Sequence, residues 1–282
     1  MSTQTFHLPN HDNLAVSVPS SLSQDRLLAF DPFTSWLTTL QKSLSLQSQP
    51  KHPFHADPYR LHSITVQSYD SWSPPRLGFV KLTAAVRNAA GESLAGGVFL
   101  RGGSVGMLVM LVPDDIARDS DERYVLLTVQ PRVPAGSLAF VELPAGMVDD
   151  HGSFAGAAAA EINEELGLEI TEDQLTCLTE LAFSSTENDS TDEGLAQAMF
   201  PSAGGCDECV RIFAHERVVP RAQLDSWTGK LTGLRDEGER ITLKLVPMQD
   251  LWKEGARDSK ALSALALWEG LKREGKVGQR RA

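Results

Sequence analysis

Three glutamates, Glu161, Glu164 and Glu165, close an alanine-rich stretch that reads FAGAAAAEINEEL. On a helix, residues three and four apart are neighbours, and each like-charge pair there costs on the order of 0.2–0.5 kcal/mol. No lysine or arginine in the run offsets that repulsion. At 100° per residue the carboxylates cover an arc of about 100°, beside an apolar stripe of Ala155, Ala159, Ile162 and Leu166. One side therefore packs on a core while the other presents acid. A hard divalent cation suits such a set, because Mg2+ and Mn2+ take carboxylate, carbonyl and water oxygens and their charge removes the repulsion. A solvated acidic face is the competing reading, and spacing alone leaves both open.

Composition narrows the partners. The chain has 282 residues, 41% of them hydrophobic, enough for one large domain or two modest ones. Its formal charge of −11 argues against a general grip on nucleic acid, which demands clustered lysine and arginine. A small anionic substrate would need local cations or a metal. MSTQTFHLPNHDNLAV has no targeting pattern, and no run approaches the roughly 18 apolar residues of a membrane helix, so a cytoplasmic protein without a membrane partner is expected. Cys177, Cys206 and Cys209 are too few for a disulfide framework, and Cys206 with Cys209 supplies only half of a tetrahedral zinc site.

The elements that must position the acids follow from periodicity. The first twenty residues read as a polar, loose tail. SWLTTLQKSL opens an amphipathic helix, with Asp31 as its cap, Pro32 at its first position, and Phe33, Trp36, Leu37, Leu40 and Leu44 on one face. SQPKHPFHADP reads as a linker. Strands are expected at LHSITVQSY, LGFVKLTAAVRN, GVFLRGGSVGMLVMLV and YVLLTVQ, with the acidic PDDIARDSDER as a hairpin loop or a mobile excursion. Beyond the glutamates, CLTELAFSS and CVRIFAHERVV read as strands, followed by the loop TGKLTGLRDEGE and the strand ITLKLVP. A last helix is capped near Asp258 and Ser259 and carries Leu262, Leu265 and Leu271. Strands with a few helices between them predict an α+β sandwich.

The glutamate run resembles the Nudix box, G-x5-E-x7-R-E-U-x-E-E-x-G-U with U a bulky apolar residue. Gly146, Glu161, Ile162, Glu164, Glu165, Gly167 and Leu168 stand at its positions, while Gly152 replaces its first glutamate and Ala160 its arginine. ELPAGM, RGGSVGMLVML, the Arg132 of VQPRVP, SAGGCDE and GLRDEGE extend the likeness to the ADP-ribose and ADP-sugar diphosphatase branch. The resemblance implies a Nudix α/β/α sandwich with an N-terminal β-sheet extension and a leading amphipathic helix. It divides the chain into a tail and helix over 1–50, a β-region for dimerisation and substrate over 51–96, and a hydrolase domain over 97–282. A homodimer is implied.

On that resemblance Glu161, Glu165 and the Ala145 carbonyl hold Mg2+ (or Mn2+), with Glu164 beside them. Glu239 serves as ligand or general base, and Glu237 is the competing base. Arg132 leads the candidates for substrate phosphate, ahead of Arg101 and Arg76. Gly204 and Gly205 would bring backbone N–H groups to the ligand, and Glu208 would accept from a sugar hydroxyl. Trp72 and Phe79 read as core, with stacking on adenine across a dimer as the alternative. The implied reaction is hydrolysis of an ADP-sugar, ADP-glucose or ADP-ribose, to AMP and a sugar phosphate. The alternative, prompted by Gly152 and Ala160, is a Nudix-like module that binds nucleotide sugars without turnover. A mononucleotide or RNA-cap hydrolase is a further rival, its cap version disfavoured by the acidic charge.

Overall fold

A computed structural model of the chain describes residues 2–73, 76–117, 120–148, 153–183, 193–233 and 240–278. The described residues fall into two compact units, one within 1–103, 188–196 and 202–208, the other within 104–187, 197–201 and 209–282.

In the first unit the tail expected to be loose is a β-hairpin. Thr3–Leu8 (β1) and Leu14–Pro19 (β2) pair antiparallel, and Asp12 and Asn13 turn the chain with φ of 53° and 57°. Short polar side chains tolerate this left-handed backbone, which matches the twist of a hairpin. Alternation in LAVSVP puts Leu14, Val16 and Val18 inside. A short helix Gln24–Leu28 (α1), capped by Ser23, leads into Asp31–Leu46 (α2). Phe30, not Asp31, is the N-cap of α2, and it makes no side-chain cap bond. The predicted stripe does face the core, with Phe33 and Leu37 buried and Trp36 and Leu44 packed at its margin.

Arg60–Ser73 (β3), Arg76–Arg87 (β4) and Gly97–Leu100 (β5) complete a five-stranded sheet in the order β1-β2-β3-β4-β5, parallel only between β2 and β3. Val16, Ile64, Val66, Val80 and Leu82 line the face that packs on α2. Trp72 is not a core residue: it is 47% exposed, edge-on to Phe79 at 5.6 Å, with its indole lying across Gly78.

The second unit is organised around Ser104–Pro113 (β6), every residue of which is buried. Leu108 and Met110 enter one core, while Val105, Met107, Val109 and Leu111 enter another, so both faces of the strand are covered. Tyr124–Arg132 (β7) returns antiparallel to it, making PDDIARDSDER a hairpin connection as expected. Ser137–Glu142 (β8) pairs with β7, and Ala145–Met147 (β9) pairs with β6.

The acidic helix follows as Phe154–Glu161 (α3), capped by the Ser153 hydroxyl, which accepts from the Gly156 N–H at 2.8 Å. It continues as one π turn, Ile162–Leu166, ended by Gly167 at φ 66°. Of the described part of CLTELAFSS only Cys177 lies in a strand, Thr176–Cys177 (β10); Leu178–Phe183 (α4) is helical, with Leu178 and Leu181 three apart on one apolar face.

Val210–Val219 (β11) runs parallel to β6, and Leu231–Thr232 (β12), Ile241–Pro247 (β13), Leu251–Glu254 (α5) and Ser259–Arg273 (α6) follow. The sheet order is β10-β11-β6-β7-β13-β12. Residues of α4, α5 and α6 fill one core, and Ala158, Ile162 and Leu166 of α3 and the π turn fill the other, which is the α/β/α sandwich. Asp258 caps α6. The helix buries Ala261, Ala264, Trp268 and Leu271, so Leu262, one residue out of phase, is 41% exposed. No helix among the described residues is long and apolar enough to cross a membrane.

Candidate active site

The three acids at the end of α3 and in the π turn separate by exposure. Glu164 is exposed, Glu161 is partly buried, and Glu165 is 4% exposed. Insertion of a π turn is common at functional positions, since it re-aims side chains relative to the preceding helix. Here it departs from the uniform 100° spacing expected and turns Glu165 into the protein. One carboxylate oxygen of Glu165, Oε1, accepts from the Gln130 side-chain amide at 3.2 Å; the other, Oε2, accepts from the Ala145 N–H at 3.1 Å. Burial first, then the neighbouring charge of Glu161, push its carboxyl up to about 8. The Gln130 bond pulls in the other direction but does not prevail.

Glu161 lies against Gly146 of β9. A Cβ at residue 146 would fall 1.5 Å from Glu161 Oε1, so the carboxylate occupies the space a side chain there would fill. That explains why this strand carries glycine where it passes the helix. The Glu164 carbonyl accepts from the Gly233 N–H at 3.3 Å, joining the π turn to the start of the late acidic loop. Glu237 and Glu239 lie outside the described residues.

Beside these acids Arg132 and Asp258 join a charge-paired layer with Glu142 and Lys260, which sequence reasoning did not single out. Glu142, 3% exposed, accepts from Arg132 Nε at 2.6 Å through Oε1 and from Lys260 Nζ at 3.0 Å through Oε2. Lys260 also pairs with Asp258 at 2.9 Å, and Asp258 takes the Leu143 N–H at 2.8 Å. Burial lowers the Lys260 ammonium pKa, but Asp258 and Glu142 more than offset it, leaving it raised. Two signals were available: Glu142 opens ELPAGM, and Gln130 stands two residues before Arg132 on the same strand.

The remaining candidates belong to the first unit. Arg101 and Glu208, expected to meet phosphate and a sugar hydroxyl, are paired with each other at 3.2 Å. Arg101 Nε is buried and finds no acceptor among the described residues. Asp207 accepts from the Arg101 N–H at 2.7 Å and from the Gly102 N–H at 3.2 Å, yet burial holds its carboxyl above the usual range. Gly204 and Gly205 occupy a turn in which the Gly205 N–H donates to Ser202 and the Gly205 carbonyl accepts from Phe99; a Cβ at either glycine would meet nothing within 4 Å. Arg76 lies over the Trp72 ring at 5.4 Å.

The donor set fits a hard divalent cation. Glu165 is a buried carboxylate oriented by two neutral donors and repelled by Glu161, and the oxygens of both acids and of the Ala145 backbone are ligands of the right hardness. Glu142 is different in kind, since two cations already neutralise it. Among the described residues no group of three or more His, Cys, Asp or Glu side chains is arranged to hold a metal.

Residues 115–265 match the family model described as NUDIX domain. Nudix hydrolase 14, chloroplastic, of Arabidopsis thaliana is 34% identical over 286 aligned positions, covering 99% of this chain and 84% of the relative. Among solved structures, one described as the crystal structure of ADP compounds hydrolase aligns at a TM-score of 0.45 and 20% identity, over 77% of this chain and 99% of that one.

Proposed function

The chain belongs to the Nudix hydrolase family, and from that premise we propose that it hydrolyses the pyrophosphate bond of an ADP-sugar, with Mg2+ as its cofactor. ADP-glucose would yield AMP and a sugar 1-phosphate; ADP-ribose, the close alternative, would yield AMP and ribose 5-phosphate. The observation that carries this reading is Glu165: a buried carboxylate beside Glu161, oriented by neutral donors and so available to a cation. The likeness of VQPRVP, SAGGCDE and GLRDEGE to the ADP-sugar and ADP-ribose branch supports the substrate class.

Glu161, Glu165 and the Ala145 carbonyl would hold the ion. The chemistry such a cation supplies when bound is neutralisation of pyrophosphate charge and activation of the attacking water. Arg132 is anchored through Nε on Glu142, which leaves its terminal nitrogens to meet a phosphate oxygen. Glu239 is the proposed ligand or general base, Glu237 its competitor, and Glu164 presents a further carboxylate at the exposed edge. Arg101, Gly204, Gly205 and Glu208 are proposed as substrate contacts in a homodimer.

The test is release of AMP from ADP-glucose and ADP-ribose with Mg2+ and with EDTA. Turnover that stops in EDTA and falls at least about a hundredfold in kcat in Glu165→Gln is expected. Metal-independent turnover, or none on any nucleoside diphosphate sugar, would overturn the reading. Calorimetric binding of a nucleotide sugar without turnover would favour a binding module instead, the reading that Ala160 in the arginine position of the box invites.

A further inference from the structure

We propose that Gln130 is a positioning residue for the metal-binding carboxylate of Glu165, and that its neutrality matters as much as its hydrogen bond. The proposal rests on the reading of Glu165 as a cation ligand. Among the buried carboxylates of this unit, Glu142 and Glu165 have opposite kinds of partner. Glu142 is held by a guanidinium and an ammonium, at 2.6 and 3.0 Å. Glu165 is held by a carboxamide and a peptide N–H, at 3.2 and 3.1 Å. A cationic donor orients a carboxylate and cancels its charge together, whereas an amide fixes one lone pair and leaves the charge for an ion.

Strand geometry produces this division. Gln130 and Arg132 are two apart on β7, with a register shift against β8 between them, and this one strand sends its neutral donor to one acid and its cation to the other. Among the described residues no side chain other than Gln130 donates to Glu165, and the preceding Ala160 brings only a methyl group. Outer partners of metal ligands commonly set affinity by tenfold to a hundredfold.

The experiment measures Mn2+ binding to the full chain by electron paramagnetic resonance, for the parent and for Gln130→Leu, Gln130→Met and Gln130→Lys. The leucine and methionine variants keep the bulk and lose the donor, and one serves if the other does not fold, as judged by thermal unfolding in EDTA. Each is expected to raise the Mn2+ Kd by about tenfold or more. Gln130→Lys, which brings an ammonium to Glu165, is expected to remove Mn2+ binding at this site. A Kd within about twofold of the parent in the folded leucine or methionine variant, or parental binding in the lysine variant, overturns the proposal while leaving the metal site standing. A parent that binds no Mn2+ overturns the proposal together with the reading of Glu165 beneath it.

Discussion

Arg132 Nε donates to Glu142 at 2.6 Å across a pair whose carboxylate is 3% exposed and whose guanidinium is 40% exposed. The buried partner fixes one edge of the guanidinium, and no other partner of Arg132 is found among the described residues. Lysine cannot copy this, because a single ammonium cannot hold Glu142 and present a planar pair of N–H groups as well. Arg132→Lys is expected to lower kcat/KM on ADP-glucose by about tenfold to a hundredfold, or ~1.4–2.7 kcal/mol of transition-state stabilisation. Steady-state kinetics measure this, and an unchanged kcat/KM would remove Arg132 from the reaction.

Lys260 secures the same carboxylate from the other side. Lys260→Met strands part of the charge of Glu142 and Asp258 in the interior, and breaking a buried pair costs about 3–5 kcal/mol. The urea midpoint should fall accordingly. Lys260→Arg should restore most of the loss, and Lys260→Met combined with Glu142→Met should be less unstable than the sum of the single changes, since one of the two stranded charges is gone. Strict additivity would show that the ammonium and Glu142 do not depend on each other.

What could be read ahead of the structure depended on range. The run GMLVMLV, the Asp258 cap and Gly167 at the end of the acidic helix are local signals, and each stands where periodicity and capping put it. LAVSVP carried a clean alternation that its polar neighbours masked, and LTELAF is too short for its period to separate helix from strand. Lys260 was invisible for another reason, and Gln130 offered only its place two residues before Arg132. Their partners are set by the register of β7 and by where α6 begins against Leu143, and neither is written in residue spacing. The π turn was also beyond reach, because a widened hydrogen-bond pattern leaves no mark in the order of residue types.

Glu165 links stability to pH in the metal-free protein. Its ordinary value is 4.5 and its folded value is about 8, so both states hold the proton below 4.5 and both have lost it above 8. Between those limits the folded state keeps a proton the unfolded chain gives up, and folding becomes less favourable as pH rises. In EDTA the parent Tm should therefore decline from pH 5 to 8 by about several degrees more than that of Glu165→Gln. Mn2+ added at pH 8 should recover it, by binding the native state. Differential scanning fluorimetry decides the matter: parallel curves for parent and variant would mean that this carboxyl does not titrate in the window.

Gly146 offers the most direct probe of Glu161. A methyl group there would sit 1.5 Å from Oε1 and 2.3 Å from Cγ of Glu161, far inside contact distance. The φ of Gly146 is not positive, so alanine adds no backbone strain and the collision is with a side chain alone. Because Glu161 is only partly buried, its carboxylate can swing towards solvent, and Gly146→Ala should change Tm by about a few degrees at most. Function should respond far more strongly, with Mn2+ affinity lowered and kcat reduced by about a hundredfold, because the carboxylate no longer faces Glu165. An alanine variant with parental kcat and parental Mn2+ affinity would mean that the position Glu161 takes over Gly146 is not the one used in the reaction.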